Sequence, residues 1–147
     1  MNLEQSLAEL PLFAGVDKKT LRQIARTMRE VHYDRGHTVI LEDMAGIHGG
    51  MGIVLRGLLQ VQRGGEVIGR IQPGEFFGEM ALVDQQPRSA SVIAEQPTDA
   101  ATLSAWHLRG LIQANPDIAI HMLRTLSTRL REARAAQSSE APQPTAS

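Results

Sequence analysis

The sequence predicts a mainly β domain of the α+β class, with helices before and after a set of short strands. Between about Gly36 and Trp106, short apolar runs alternate with glycine-containing turns, a pattern typical of a small barrel or sandwich. Apolar residues recur at helical spacing before and after this region. A chain of 147 residues is long enough for one well-packed core, so we expect a single domain.

The N-terminal stretch, to about Tyr33, is predicted to be helical. A first apolar stripe ends at Pro11, and Asp17 has the residue type of an N-cap for the next helix. The apolar positions of that second helix are Leu21, Ile24, Ala25 and Met28, continuing to Val31.

The middle stretch contains the strand candidates. The clearest are 58–62 and 67–71, which flank the glycine turn 63–66 and have the signature of a hairpin. The other candidates are apolar runs at 38–41, 52–55, 91–94 and 100–103.

Two helices and a tail are predicted to follow the strands. Ser104 is a cap for a helix over about Ala105 to Ala114, and Asn115-Pro116-Asp117 begins a helix that ends near Ala136. Residues 137–147 are polar and contain prolines, so we expect them to be disordered. The predicted organisation is a domain at 1–136 and a disordered polar tail at 137–147.

Composition excludes several classes of protein. No apolar stretch of about 18 residues or more occurs, so no membrane-spanning helix is expected. There is no cysteine, which excludes disulfides, thiol catalysis and cysteine-ligated zinc. The N-terminus lacks the features of a signal peptide, and 15 basic residues balance 16 acidic ones. We therefore expect a cytoplasmic protein with no membrane partner.

The most informative segment is residues 73–91, which has the composition of a pocket for a small ribose-bearing phosphate anion. Gly78 allows close approach of the backbone, and N–H groups at a following helix start would point at the anion. Arg88 offers a planar charged fork for phosphate oxygens, and Glu79 can accept a hydrogen bond from a sugar hydroxyl. The alternative is an ordinary helix start at Glu79, with Arg88 paired to Asp84 or Asp99 on the surface.

The order GEMALVDQQPRSAS at 78–91 resembles the phosphate-binding cassette of the cyclic nucleotide-binding domain family. The resemblance reaches from about Leu10 to Ala136. It implies an eight-stranded, jelly-roll-like β-roll flanked by N-terminal helices and two C-terminal helices. It implies cAMP or cGMP as the ligand, with cAMP favoured. No metal is expected, because the histidines form no metal-binding pattern. Glu79 would bind the ribose 2′-hydroxyl and Arg88 the cyclic phosphate. The ligand-binding residues implied in and next to the cassette are Phe77, Gly78, Glu79, Met80, Ala81, Arg88, Ser89 and Ala90.

The last helix has three interpretations. Its apolar stripe packs on the domain, or, as the resemblance to the family implies, the helix is a lid that moves over the base when nucleotide binds or forms a dimer seam. Under the lid interpretation, Arg129 is the first candidate to contact the base, because a guanidinium stacks on aromatic rings, and Arg134 is the second.

The function expected from the sequence is a cyclic nucleotide sensor rather than an enzyme. Glu79 has no second carboxylate or nucleophile placed with it, and the five histidines form no metal-binding motif. Only eleven residues follow Ala136, too few for a helix-turn-helix, so direct DNA binding is not expected. The alternatives are an interaction or dimerisation module that binds no ligand, or a truncated regulator that pairs with a full-length transcription factor.

Overall fold

Two four-stranded antiparallel sheets form the centre of the molecule. The computed structural model describes residues 2–40, 50–78 and 90–140, with side chains at 2–39, 51–78 and 90–135. The strands are β1 Arg29–Tyr33, β2 Thr38–Ile40, β3 Gly50–Arg56, β4 Leu59–Arg63, β5 Glu66–Ile71, β6 Phe76–Phe77, β7 Ser91–Ala94 and β8 Thr98–Ser104. The first sheet has the order β1-β8-β3-β6 and the second β2-β7-β4-β5. This arrangement confirms the expected eight-stranded, roll-like fold.

Helices lie at both ends of the chain. They are α1 Leu3–Ala8, α2 Lys18–Thr27, α3 Ala105–Ala114 and α4 Pro116–Glu140, with a 3-10 turn at Pro11–Phe13. The predicted caps at Asp17 and Ser104 are confirmed, since the Asp17 carboxylate accepts a hydrogen bond from Thr20 N at 2.7 Å. The Ser104 hydroxyl likewise accepts from His107 N at 3.2 Å. These side chains satisfy N–H groups that the first helical turn leaves unpaired.

The prediction of helix up to Tyr33 was wrong at its end. Helix α2 stops at Thr27, and Arg29–Tyr33 forms strand β1, which pairs with β8 from Arg29 opposite Thr102 to Tyr33 opposite Thr98. Val31 lies three residues after Met28, so it fits a helical stripe as well as the alternation of a strand. Pairing with a strand about 70 residues away decided between them, as tertiary context often does for short segments.

Helix α4 is longer than expected. It runs for 25 residues to Glu140, so residues 137–140, assigned to the disordered tail, are helical. Their polar side chains suggested a tail, but none of them is glycine or proline, and the first helix breaker is Pro142. The remainder of the predicted tail, 141–147, lies outside the described residues.

Two apolar clusters divide the core, one on each face of the first sheet. The interior cluster lies between the sheets and contains Val54, Leu59, Ile71, Phe77, Val92, Ala94 and Ala100. The helix-side cluster joins the other face of the first sheet to the helices, and its members include Leu7, Phe13, Ile24, Met51, Ile53, Phe76, Leu103, Leu108, Ile118 and Met122. The neighbours Phe76 and Phe77 belong to different clusters because successive side chains of a strand point to opposite faces. The short strand β6 is therefore anchored on both faces.

Candidate functional site

Strands β6 and β7 hold the two ends of the segment that the sequence assigns to the cassette. Strand β6 is the last strand of the first sheet, whereas β7 lies inside the second sheet between β2 and β4. Gly78 directly follows β6, and Ala90 directly precedes β7. The chain between them therefore crosses from one sheet to the other.

Half of the expected site residues fall within the described part of the chain. Phe77, Gly78, Ala90, Arg129 and Arg134 are described, whereas Glu79, Met80, Ala81, Arg88 and Ser89 lie outside the described residues. The described part of the expected site therefore consists of residues on both sides of the segment 79–89 and of two arginines on the last helix.

Phe77 packs over Gly52. The two residues are register partners in the β3–β6 ladder, and Phe77 is buried in the interior cluster. A Cβ built at Gly52 would lie 2.6 Å from Cε1 and 2.7 Å from Cε2 of the Phe77 ring, so the ring covers the glycine face. Sequence reasoning missed this role, because Gly52 appeared only as part of a glycine-rich loop and strand.

Gly78 turns the chain out of β6. Its φ of +79° lies in the left-handed region, which glycine adopts without the clash that a Cβ introduces. The turn follows directly on Phe77, which is anchored in the core. The expected role of Gly78, close approach of the backbone to a ligand, stays a prediction.

Arg129 contacts the residue next to this turn. Its Nη2 donates a hydrogen bond to the Phe76 carbonyl at 2.8 Å, and its Cζ lies 4.6 Å from the centroid of the Phe76 ring. Arg134, the second arginine expected to face the base, is exposed. The structure thus places the two arginines in different environments.

The carboxylates of Asp99 and Glu95 already have partners. Asp99, one of the two carboxylates considered as a partner of Arg88, is bound by His32 Nδ1 at 2.8 Å and by Arg56 Nε at 3.0 Å. The His32 hydrogen bond, followed by that of Arg56, holds the pKa of the Asp99 carboxyl below its usual value. These contacts join residues up to 67 positions apart, and no local sequence signal could have shown them.

Glu95, which follows β7, lies in a second polar cluster. Its Oε1 accepts hydrogen bonds from Gln60 Nε2 at 2.8 Å and from Arg70 Nε at 3.0 Å. The Gln60 hydrogen bond is the main cause that lowers the pKa of the Glu95 carboxyl, with Arg70 contributing. This cluster connects β4, β5 and the end of β7.

Neither a metal-binding cluster nor a membrane-spanning helix occurs among the described residues. Within 2–40, 50–78 and 90–140 no group of three or more histidine, aspartate or glutamate side chains is arranged to hold a metal ion. None of the helices in the described part of the chain is long and apolar enough to cross a membrane.

Comparisons with known proteins agree with the geometry of the roll. The model of the cyclic nucleotide-binding domain family matches residues 30–115, more than half of this chain. The crystal structure of a cyclic nucleotide-binding domain from Methylobacillus flagellatus KT superposes with a TM-score of 0.81 at 25% identity, covering 98% of this chain and 85% of that one.

Two curated relatives are regulators. A CRP-like cAMP-activated global transcriptional regulator of Mycobacterium tuberculosis is 29% identical over 134 residues, which cover 88% of this chain and 59% of the regulator. A cAMP-dependent protein kinase regulatory subunit of Mycosarcoma maydis is 33% identical over 104 residues, covering 68% of this chain and 19% of the subunit. This chain thus spans about three fifths of the first relative and one fifth of the second. The residues matched by the family model include strands β2 to β8 and the segment 78–91, and the chain belongs to the cyclic nucleotide-binding domain family.

Proposed function

We propose that this chain is a sensor domain that binds a cyclic nucleotide, with cAMP as the preferred ligand. The observation that carries the proposal is the segment 78–91 itself. It has the residue order of the cassette, it begins at a glycine with φ of +79°, and it joins the two sheets of a family roll. The preference for cAMP is supported by the relatives, which are described as cAMP-activated and cAMP-dependent.

The proposed roles of the site residues follow their chemistry. Glu79 accepts a hydrogen bond from the ribose 2′-hydroxyl, and Arg88 holds the cyclic phosphate with its two parallel donors. Backbone N–H groups of the cassette complete the anion site. The remaining proposed residues form the wall and the supports of the pocket, and these are Phe77, Gly78, Met80, Ala81, Ser89 and Ala90.

The proposal includes a change in the position of α4. A ligand shifts a protein between two conformations only through a difference in affinity for them. Helix α4 is the element placed to respond, because its residue Arg129 contacts β6 next to Gly78. For the base contact we favour Arg134 over Arg129, since the exposed Arg134 reaches a ligand without first breaking the hydrogen bond to Phe76.

We propose a homodimer through α4 as the form in which the sensor acts. Ala119, Leu123, Leu126, Leu130 and Ala133 follow the alternating four- and three-residue spacing of a coiled-coil seam. Leu123 is 61% exposed and Leu130 is 53% exposed, so the domain itself leaves these leucines uncovered. A binding function without catalysis and a cytoplasmic location are part of the same proposal.

The test is calorimetric titration of the nucleotide-stripped protein with cAMP and with cGMP. We expect micromolar or tighter binding of cAMP and weaker binding of cGMP. Arg88→Ala is expected to weaken binding at least about tenfold while circular dichroism shows an intact fold, because a charge-assisted bidentate contact is lost. Arg26→Ala is the matched control, since it removes the same charge from an exposed position on α2.

Each alternative has its own outcome. No heat and no thermal stabilisation with either nucleotide would replace the sensor with an interaction module that binds no ligand. Unchanged affinity in Arg88→Ala would remove Arg88 from the site. Stable capture of a full-length transcription factor of this family, without nucleotide binding, would favour a truncated regulator.

A further inference from the structure

Strand β6 leaves one carbonyl without a partner in its own sheet. Glu75 O accepts a hydrogen bond from Val54 N at 3.0 Å, so this carbonyl points toward β3. Successive carbonyls of a strand point in opposite directions, and Phe76 O therefore points away from β3. Because β6 ends the first sheet, no further strand among the described residues supplies a donor there.

Arg129 supplies the donor. Phe76 is buried, and a buried carbonyl without a hydrogen bond is costly, so the contact of Arg129 Nη2 at 2.8 Å has a structural reason. The guanidinium also lies over the Phe76 ring at 4.6 Å, within the range of a cation–π interaction. A single side chain of α4 thus binds both the backbone and the ring of Phe76.

The contact between Arg129 and Phe76 lies between the packed and the exposed parts of α4. Before it, Ile118 and Met122 are buried in the helix-side cluster, and His121 Nε2 is hydrogen-bonded to Ala14 O at 3.1 Å. After it, the side chains of residues 130–135 are exposed. Arg129 therefore lies where α4 changes from a packed helix to one that extends from the domain.

The same contact lies close to the turn that follows β6. Phe76 is two residues before Gly78, where the chain turns into the proposed nucleotide loop. Only Phe77 lies between Phe76 and this turn. The carbonyl is bonded to the midpoint of α4, 53 residues away in sequence.

We infer that Arg129 is a positioning residue that couples the start of the nucleotide loop to helix α4. It acts through Phe76, because the Nη2 donor and one face of the guanidinium are engaged by the carbonyl and the ring of that residue. The inference rests on the proposed function for the identity of the ligand. The coupling itself is a property of the protein that is measurable without nucleotide.

The first experiment is hydrogen exchange by mass spectrometry on the full chain without nucleotide. Arg129→Met keeps the length of the side chain but removes the donor and the charge. We expect exchange in both 71–78 and 126–135 to become faster together, on the order of tenfold. Arg129→Lys keeps one donor and the charge and is expected to restore part of the protection. Arg131→Met, an exposed arginine two residues away, is the control and should match wild type.

The second experiment adds cAMP and measures the change in hydrogen exchange of 126–135. If Arg129 only stabilised the fold, its substitution would leave this response to cAMP unchanged. In wild type we expect cAMP to alter exchange in 126–135. In Arg129→Met, calorimetry should still detect binding, whereas the response of 126–135 should fall to less than about half. Should Arg129→Met fail to fold, Phe76→Leu keeps the carbonyl and removes the ring, and it should give a smaller change in the same two segments.

Three outcomes separate the possibilities. Unchanged exchange of both segments in Arg129→Met would overturn the coupling role. Loss of cAMP binding with unchanged exchange in 71–78 would also overturn it, and would make Arg129 a ligand contact. Absence of binding by wild type would refute the proposed ligand, while the experiment without nucleotide still decides whether Arg129 couples β6 to α4.

Discussion

At the scale of single residues, His32 is held between two carboxylates. Its Nδ1 lies 2.8 Å from Asp99 Oδ1 and its Nε2 lies 3.2 Å from Asp34 Oδ1. Both ring nitrogens act as donors only in the protonated form. The Asp99 hydrogen bond is the main cause that raises the pKa of His32 above its usual 6.5, and Asp34 adds to it.

The raised pKa of His32 and the lowered pKa of Asp99 determine how the stability of the fold depends on pH. A raised histidine pKa gives stability that is present below the unfolded value of 6.5 and is lost as pH rises through the folded value. The lowered pKa of Asp99 gives stability that is present above its unfolded value of 3.8 and is lost as pH falls through the folded value. The pair therefore contributes most between these two limits.

We predict that His32→Gln lowers the melting temperature at about pH 5.5 and has less effect at about pH 8.5. The change should be small, on the order of 1–2 °C, because the pair is exposed and screened by solvent. Thermal unfolding at both pH values measures it, and Asp99→Asn with the double variant forms a mutant cycle. An equal effect of His32→Gln at both pH values would contradict the assignment.

Residue-scale prediction from sequence succeeded for caps and failed for long-range pairs. Asp17 and Ser104 were found because a cap and its target lie three residues apart. The hydrogen bonds of Arg129 to Phe76 and of His32 to Asp99 span 53 and 67 residues, and no pattern within one element indicates them.

At the scale of elements, the β3–β6 pair depends on the absence of a side chain at Gly52. The Phe77 ring occupies the space that a Cβ would need, with two ring carbons at 2.6 and 2.7 Å from that position. Alanine at this position forces the ring out of the interior cluster or separates the two strands. Either change would also disturb Gly78, which follows Phe77.

We predict that Gly52→Ala lowers the free energy of unfolding by about 1–3 kcal/mol. Gly69→Ala is the matched control in β5, where a built Cβ meets no atom within 4 Å, and it should be neutral or slightly stabilising. Denaturant unfolding measures both variants. Adding Phe77→Leu to Gly52→Ala should recover part of the loss by making room, and no recovery would argue against the ring as the cause.

The elements differ in how far local sequence determined them. The hairpin of β4 and β5, strand β7, and helix α3 agree with the prediction, because each has a turn or cap signal within a few residues. Strands β1 and β6 were not predicted, because β1 continues the apolar stripe of helix α2 and β6 has only two residues. Both are strands because β8 and β3 supply their partners.

At the scale of the whole molecule, the two halves of α4 have different surroundings. Among the apolar residues of α4, Ile118 and Met122 are buried, and Leu126 packs partly against the helix-side cluster. Leu130 and Ala133 are exposed, because the helix extends past the domain. Packing on the roll thus accounts for Ile118, Met122 and part of Leu126, whereas the exposed Leu123 and Leu130 are left to the proposed dimer.

We predict that the wild-type protein is a dimer and that Leu123→Glu with Leu130→Glu converts it to a monomer. Charges in a seam without partners oppose association, while the fold should survive because both positions are exposed. Sedimentation velocity measures the change. Ile68→Glu, at a 51% exposed apolar position on β5, is the control and should leave the dimer intact. A monomeric wild type at all concentrations would refute the seam.

Ligand binding should stabilise the whole domain. At a cAMP concentration one hundred times the dissociation constant, linkage gives about 2.7 kcal/mol, which corresponds to a rise in melting temperature on the order of 5–10 °C. Arg88→Ala at the same cAMP concentration should lose about half of this rise or more, since its affinity is at least about tenfold lower. A full rise in Arg88→Ala would place the anion on another residue.

The sequence by itself determined the family, the cassette order and most elements, because these depend on short-range signals: residue order, turn glycines, caps and hydrophobic period. Only the tertiary structure decided that β1 is a strand, that Gly52 makes room for Phe77, and that Arg129 binds Phe76. Each of these depends on residues that come together from distant parts of the chain. In each case a backbone group or an aromatic ring packs against or hydrogen-bonds to a partner that its own helix or strand cannot supply.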